Sequence, residues 1–206
     1  MNNIKNEICA VILTGGLSSR MGGGIKTLTK FNNKIIFDRI FNNLKNQVRI
    51  IVINSNDSEN LFYKYHVDII KDSYKGFLGP LAGIHATLEW LKNNTKLKWL
   101  ITVPSDTPFL PKDLAQKLFI KASNNNCKIV MAKSNNKIHP VIGIWHISVL
   151  KSLDDGLNSG MRKIMDWANK HPLDFEDFSN SKYDPFFNIN YYQDIEEAEK
   201  IENRYF

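Results

Sequence analysis

Alternating β-branched runs and helical stripes predict an α/β chain: a single-domain, Rossmann-like three-layer sandwich, with a mostly parallel sheet and helices on both faces. Three observations carry that expectation. The apolar run at residues 8–13 (Ile-Cys-Ala-Val-Ile-Leu) has the composition of a fully buried strand, and it empties into a glycine-rich loop. Further strand-like runs at 49–53, 67–70, 99–103 and 128–132 recur with helix-like segments between them. Polar residues gather where these runs end, at Gly15, Asn54, Asp72 and Asp106. That is the carboxyl edge, where open parallel sheets bind their ligands.

Taken in order, residues 35–44 place Ile36, Phe37, Ile40, Phe41 and Leu44 on one helical stripe. A short helix is expected at 58–65 and a loop at 76–80. Pro80 suits the first turn of a helix running to about residue 92, because the N–H it lacks is unpaired there anyway. Pro104 breaks the strand at 99–103, and Pro111 is expected to open a helix over 111–122. The pattern changes after Ile138: a strand at 139–144, a helix at 148–153, then Met161, Ile164, Met165 and Ala168 at helical spacing over 160–170. Short strands are expected at 173–175 and 186–189, and a final helix at 191–202. No linker or repeat divides residues 1–206, so one domain is expected.

Composition narrows the function. Apolar residues make up 43% of the 206 residues, and no apolar run approaches the ~20 needed to span a membrane. No signal-peptide pattern stands at the N-terminus, so a cytoplasmic location is expected, without membrane partners. Cys9 and Cys127 read as two buried thiols. The net charge of +6 is spread over single lysines with no basic tract, which favours small polyanions over nucleic acid.

The segment 13–26, Leu-Thr-Gly-Gly-Leu-Ser-Ser-Arg-Met-Gly-Gly-Gly-Ile-Lys, holds five of the chain's 11 glycines and two cations. Where no Cβ intervenes, backbone N–H groups can close on an anion. Two common phosphate loops are excluded. Ile25 stands before Lys26 where a P-loop needs glycine, and Thr27 takes the last position of a dinucleotide fingerprint counted from Gly22. An anion-binding loop of another kind remains.

This loop resembles the signature of the nucleotidyltransferases, and among them that of the molybdenum cofactor guanylyltransferases. Further segments match in order: Asn54, Asp72, Gly79-Pro80-Leu81-Ala82-Gly83, Pro104-Ser105-Asp106-Thr107-Pro108-Phe109-Leu110-Pro111, His139-Pro140-Val141 and Asn188-Ile189-Asn190. The resemblance implies transfer of GMP from GTP to a molybdenum-pterin cofactor with release of pyrophosphate, using Mg²⁺. Cofactor-delivery proteins and recipient molybdoenzymes are the further partners it implies. It also implies roles. Leu13, Thr14 and Gly15 contact guanine and ribose through backbone groups. Arg20 and Lys26 grip the phosphates, and Asn54 and Asp72 hydrogen-bond the nucleotide. Asp106 holds the metal, and Gly79, Pro80, Arg162, Asn188 and Asn190 face the pterin.

Plainer roles stand beside several of these. Asp106 also suits a helix N-cap and Asp72 a turn. Arg162 and Lys163 also suit a solvated helix face, and His139 suits a structural hydrogen bond better than general-base work. His66, His85, His146 and His171 have no carboxylate or cysteine at ligand spacing. Three departures from the family pattern stand out: Ile25 for an aspartate, Ser105 for a cysteine, and Tyr191-Tyr192 for Thr-Pro, which removes a helix-start signal. The alternatives to a guanylyltransferase are a cytidylyltransferase for the same cofactor and a non-catalytic carrier.

Overall fold

A computed structural model describes residues 4–14, 30–56, 61–76, 78–180 and 182–206. The glycine-rich segment 15–29, with Gly15, Arg20 and Lys26, lies outside the described residues. The central strand β1 is Ile8–Leu13, buried along its whole length. Its alternate side chains enter two separate cores: Ile8, Ala10 and Ile12 on one face, Cys9, Val11 and Leu13 on the other. A strand apolar on both faces has to be covered on both, and this gives the three layers.

After β1 come the short pair β2 (Lys30–Phe31) and β3 (Lys34–Ile35), helix α1 (Ile36–Lys45), β4 (Ile50–Asn54) and β5 (Ile69–Ile70). Helix α2 (Pro80–Asn94), β6 (Trp99–Pro104), α3 (Leu114–Asn124), β7 (Ile129–Ser134) and β8 (Lys137–His146) follow. The chain ends with α4 (Leu150–Asn158), α5 (Ile164–Ala168), β9 (Leu173–Asp177) and α6 (Tyr192–Tyr205). The main sheet runs β5-β4-β1-β6-β8-β7-β9. β5, β4, β1 and β6 pair in parallel, as do β7 and β9, while β8 is antiparallel to both its neighbours. Strand order reverses at β1, which sits between β4 and β6, and the reversal opens a crevice at its carboxyl end.

Packing, more than propensity, holds α1. Its isoleucines and phenylalanines cost at most about 0.7 kcal/mol each as helix formers. Burying Ile36, Phe37, Ile40 and Leu44 returns about 1.5–3 kcal/mol per side chain. Helix α6 is more polar and needs an added anchor. Arg39 donates from both terminal nitrogens to the two Glu202 oxygens at 2.5 and 2.7 Å, and its guanidinium lies 4.0 Å from the Phe31 ring centre. Asn32 adds a hydrogen bond to Glu202 at 2.8 Å. The β2–β3 pair, where the chain leaves segment 15–29, is thereby tied to the C-terminal helix.

Several expected boundaries move. The 3-10 turn Tyr63–Tyr65 is what is described of the helix expected at 58–65, and residues 57–60 lie outside the described residues. Helix α3 starts three residues after Pro111, with a turn between. The helix expected over 160–170 is the five-residue α5, because Gly160 takes a left-handed φ of 89° and ends the preceding turn. No strand forms at 186–189. The Asp184 carboxylate accepts the N–H of Phe186 at 2.9 Å, and the Asp184 carbonyl accepts that of Phe187 at 3.1 Å, which makes a turn. Tyr191-Tyr192 does not weaken the start of α6, since Asp194 accepts the N–H groups of Asn190 at 2.6 Å and Tyr191 at 2.8 Å. Cys9 and Cys127 are buried free thiols, and burial pushes Cys9 up to about 12. No helix among the described residues is long and apolar enough to cross a membrane.

Candidate active site

A pocket of about 580 Å³ opens at the carboxyl edge of β5, β4, β1, β6 and the first half of β8. Leu13, Asn54, Asp72, Gly79, Pro80, Asp106 and Asn188, seven of the residues singled out from the sequence, line it.

The wall at the ends of β4 and β5 is built from amides. Asn54 ends β4 and donates to Asp72 Oδ1 at 2.9 Å and to the Ile70 carbonyl at 3.1 Å. Asn56 donates to Asp72 Oδ2 at 2.8 Å and accepts the Asp72 N–H at 2.9 Å. Both Asp72 oxygens are thus fixed by neutral donors, which orient the carboxylate. Gly83, on the first turns of α2, permits this arrangement: a Cβ there would lie 2.3 Å from Asn54 Oδ1 and 3.0 Å from the Leu13 side chain. Thr14 commits its N–H and its hydroxyl to the Asn54 carbonyl, at 3.0 and 2.8 Å, and the Leu13 carbonyl accepts the Ser105 N–H at 3.1 Å. These contacts weld the entry of the glycine-rich segment to β4 and β6. Thr14 itself does not line the pocket, whereas Leu13 does.

Asp106 lies two residues past β6 and eight before α3, so it caps no helix. Thr107, Phe109 and Leu110 behind it are buried, and its carbonyl accepts the Ile189 N–H at 3.0 Å. That bond brings the Asn188 turn to the pocket. Asn188 lines it, whereas Asn190 is exposed and does not. No strand forms there, so only one of the two asparagines expected to face the pterin lines the pocket. Arg162 also lies outside the pocket lining; its guanidinium donates to the Met161 carbonyl at 2.7 Å and the Leu157 carbonyl at 3.2 Å after α4. Among the described residues no cluster of three or more His, Cys, Asp or Glu side chains could hold a metal. A carboxylate such as Asp106 suits a hard cation that takes its other ligands from phosphate and water.

The motif His139-Pro140-Val141 marks the middle of the wall opposite Asp72, but its full extent was not legible in the sequence. Residues 137–142 of β8 all line the pocket, which a regular strand cannot do. The register explains it: Met131 pairs with Gly143 but Ala132 pairs with His139, so residues 140–142 bulge out of the ladder. Pro140 has no N–H to give to the ladder. Thr102, fully buried, catches the bulged Val141 carbonyl at 2.6 Å and accepts from Trp145 Nε1 at 2.9 Å. Gly143 closes the bulge, because a Cβ there would meet the Val130 carbonyl at 2.7 Å.

His139 makes the structural bond expected of it. The Ser134 hydroxyl donates to Asp184 Oδ1 at 2.8 Å and lies 2.7 Å from His139 Nε2. With its proton spent on Asp184, Ser134 can only accept, so Nε2 carries the imidazole proton. Burial pushes the His139 pKa down, and Lys137 adds to this while Asp184 opposes it. A second histidine pairing was invisible in the sequence. His85 Nε2 lies 3.2 Å from Asp154 Oδ1, which also accepts the Tyr74 hydroxyl. The hydrogen bond to Tyr74 holds Asp154 below the usual carboxylate range and raises Tyr74 in turn. This contact pins the loop between β5 and α2, carrying Asp72, Leu78 and Gly79, against α4.

Residues 10–173 match the family model for the MobA-like NTP transferase domain. A molybdenum cofactor guanylyltransferase of Nitrobacter hamburgensis is 35% identical over 193 residues, covering 93% of this chain and 92% of that protein. One from Yersinia pestis is 35% identical over 190 residues, covering 91% and 92%. Among solved structures, molybdopterin-guanine dinucleotide biosynthesis protein A from Archaeoglobus fulgidus superposes with a TM-score of 0.77, at 23% identity over 95% of this chain and 99% of that one. At that identity the superposition speaks for the fold, and the sequence relatives speak for kinship. The chain belongs to the MobA-like NTP transferase family.

Proposed function

We propose that this chain transfers GMP from GTP to a molybdenum-pterin cofactor, releasing pyrophosphate. The observation that carries the proposal is the pocket at the strand-order reversal, with Asp72 fixed on one side, Asp106 at its middle and an apolar wall on β8. Kinship to molybdenum cofactor guanylyltransferases supplies the two substrates.

The nucleotide lies over Leu13 with its sugar and base toward Asn54 and Asp72. Arg20 and Lys26 of the glycine-rich segment bind the nucleotide's triphosphate, the role the family resemblance implies for them. An oxygen of the cofactor's terminal phosphate attacks the α-phosphorus of GTP. The bond from that phosphorus to the bridging oxygen breaks, and pyrophosphate leaves with the electron pair. No protein nucleophile is needed, so the side chains act by positioning and by offsetting charge. Asp106 would hold Mg²⁺ together with phosphate oxygens and water. When bound, the ion supplies charge neutralisation on the reacting phosphates.

The test is pyrophosphate release by the purified chain with Mg²⁺, the molybdenum-pterin cofactor, and either GTP or CTP. Release with GTP and the appearance of the guanine dinucleotide are expected. Preference for CTP would make the chain a cytidylyltransferase, and no release with either nucleotide would leave a carrier.

A further inference from the structure

Lys137 is the one lysine or arginine among the described residues that line the pocket, and its side chain forms no ion pair or hydrogen bond with another described residue. Its position is fixed from behind. It is the first residue of β8, paired with Ser134 across a two-residue turn in which Asn135 and Asn136 both take left-handed φ, 47° and 62°. The turn is tied down twice: Ser179 Oγ accepts the Asn135 N–H at 2.9 Å, and the Lys133 carbonyl accepts the Phe178 N–H at 2.8 Å. A cation held on a braced turn over a pocket faces an anion more effectively than one on a loose loop.

The sheet order tells which anion. Asn54 and Asp72 belong to the β4–β5 side, Asp106 follows β6, and Lys137 opens β8, beyond β6. Neighbouring strands stand about 4.8 Å apart, so β8 lies two strands, roughly 10 Å, from β1. A nucleotide on the β4–β1 half leaves the β8 half to the second substrate, with Asp106 between them. The β8 half also carries Ile138, Val141, Ile142 and Phe186, an apolar surface suited to a flat ring. Arg162, the cation expected from the sequence to meet the second substrate's phosphate, is engaged with backbone carbonyls outside this lining.

We infer that Lys137 binds the phosphate monoester of the acceptor substrate, while the bulged wall of β8 and Phe186 hold its fused ring. This rests on the proposed GMP transfer, in which that phosphate is the nucleophile. Lys137 is a positioning residue: it aims the phosphate at the α-phosphorus while the bulge sets the depth of the ring.

The experiment uses the full chain and two fluorescent probes, 6-hydroxymethylpterin and its phosphate monoester, with wild type, Lys137→Met and Lys137→Arg. Wild type should bind the phosphorylated probe about tenfold more tightly than the alcohol, the size expected of a charge-assisted contact. Lys137→Met should bring the two affinities to within about twofold, and Lys137→Arg should restore most of the preference. Affinity for GTP should change by less than about twofold in both variants. A wild type without phosphate preference, a Met variant that keeps it, or an equal loss of GTP binding would overturn the inference. Turnover with GTP and the molybdenum-pterin cofactor is measured on the same preparations. Its absence in wild type would overturn the proposed reaction, while a phosphate preference that depends on Lys137 would still stand.

Discussion

The Asn54 side-chain amide donates to Asp72 Oδ1 at 2.9 Å across 18 residues of sequence, and Gly83 leaves the space in which it does so. Two strands and a helix therefore meet at one hydrogen bond. Gly83→Ala would put a methyl group 2.3 Å from Asn54 Oδ1, so the amide has to turn away and Asp72 loses a donor. Overpacking of this kind costs about 1–3 kcal/mol. The expected result is a lowered thermal midpoint and a KM for GTP raised about fivefold or more, and Asn54→Ala, which leaves the Ile70 carbonyl and Asp72 without its amide, should show both effects. Unchanged GTP kinetics in both variants would separate this cluster from nucleotide binding.

Asp106 lines the pocket and caps no helix. Asp106→Ala and Asp106→Asn are expected to lose about a hundredfold or more in kcat, with thermal midpoints close to wild type. Lys26→Ala is expected to lower kcat and raise the KM for GTP together, since it removes a charge that acts on both bound and leaving phosphates. Pyrophosphate release over a Mg²⁺ titration reads out all three variants; wild-type rates in the Asp106 variants would remove it from the mechanism.

Ser134 links His139 to Asp184, and Asp184 shapes the turn that presents Phe186 to the pocket. Ser134 is fully buried, so Ser134→Ala leaves two polar atoms without their partner. A cost of about 1–3 kcal/mol is expected. Since Phe186 and Asn188 lie on the acceptor side, KM for the cofactor should rise while KM for GTP stays level. Urea unfolding and two-substrate kinetics test the two parts separately.

The Arg39–Glu202 pair gives a pH dependence with a definite sign. Burial works against the Glu202 charge, but hydrogen bonds from Arg39 and Asn32, and the Arg39 charge, outweigh it and hold its carboxyl below the ordinary glutamate value. A carboxylate with a depressed folded pKa binds fewer protons folded than unfolded. Its contribution is therefore complete above the unfolded pKa and is lost as pH falls through the folded one. Glu202→Gln should cost about 2 kcal/mol near neutral pH, and the gap from wild type should close as pH falls below the ordinary glutamate range. Urea melts of both proteins across that range measure it; a gap independent of pH would contradict the pairing.

Much of the site was legible because it sits where local pattern and chemical type coincide. Asn54 and Asp106 stand at or just past the ends of apolar runs, and Pro80 opens a helix, so periodicity and punctuation located them before any contact was known. The motif His139-Pro140-Val141 marked the middle of the wall formed by 137–142, but its full extent was hidden by the same logic. Alternation sends every second residue of a strand to the other face, and only a bulge brings six consecutive residues to one pocket. Asn188 reached the pocket on a turn instead of a strand, and Asn190 did not reach it. His85 found its carboxylate on a helix 69 residues away, at a spacing no motif encodes.

By itself, the sequence determined the alternating architecture, the placement of polar residues at the carboxyl edge of the sheet and, through motifs in order, the family. Those features depend on each residue's type and its near neighbours. The tertiary structure alone decided which side chains share the pocket: that Asp72 is gripped by two asparagines, that β8 bulges at Pro140, and that Lys137 rather than Arg162 faces the cavity. Each of these depends on register between strands or on packing between distant segments, and such contacts are set by how the whole chain closes.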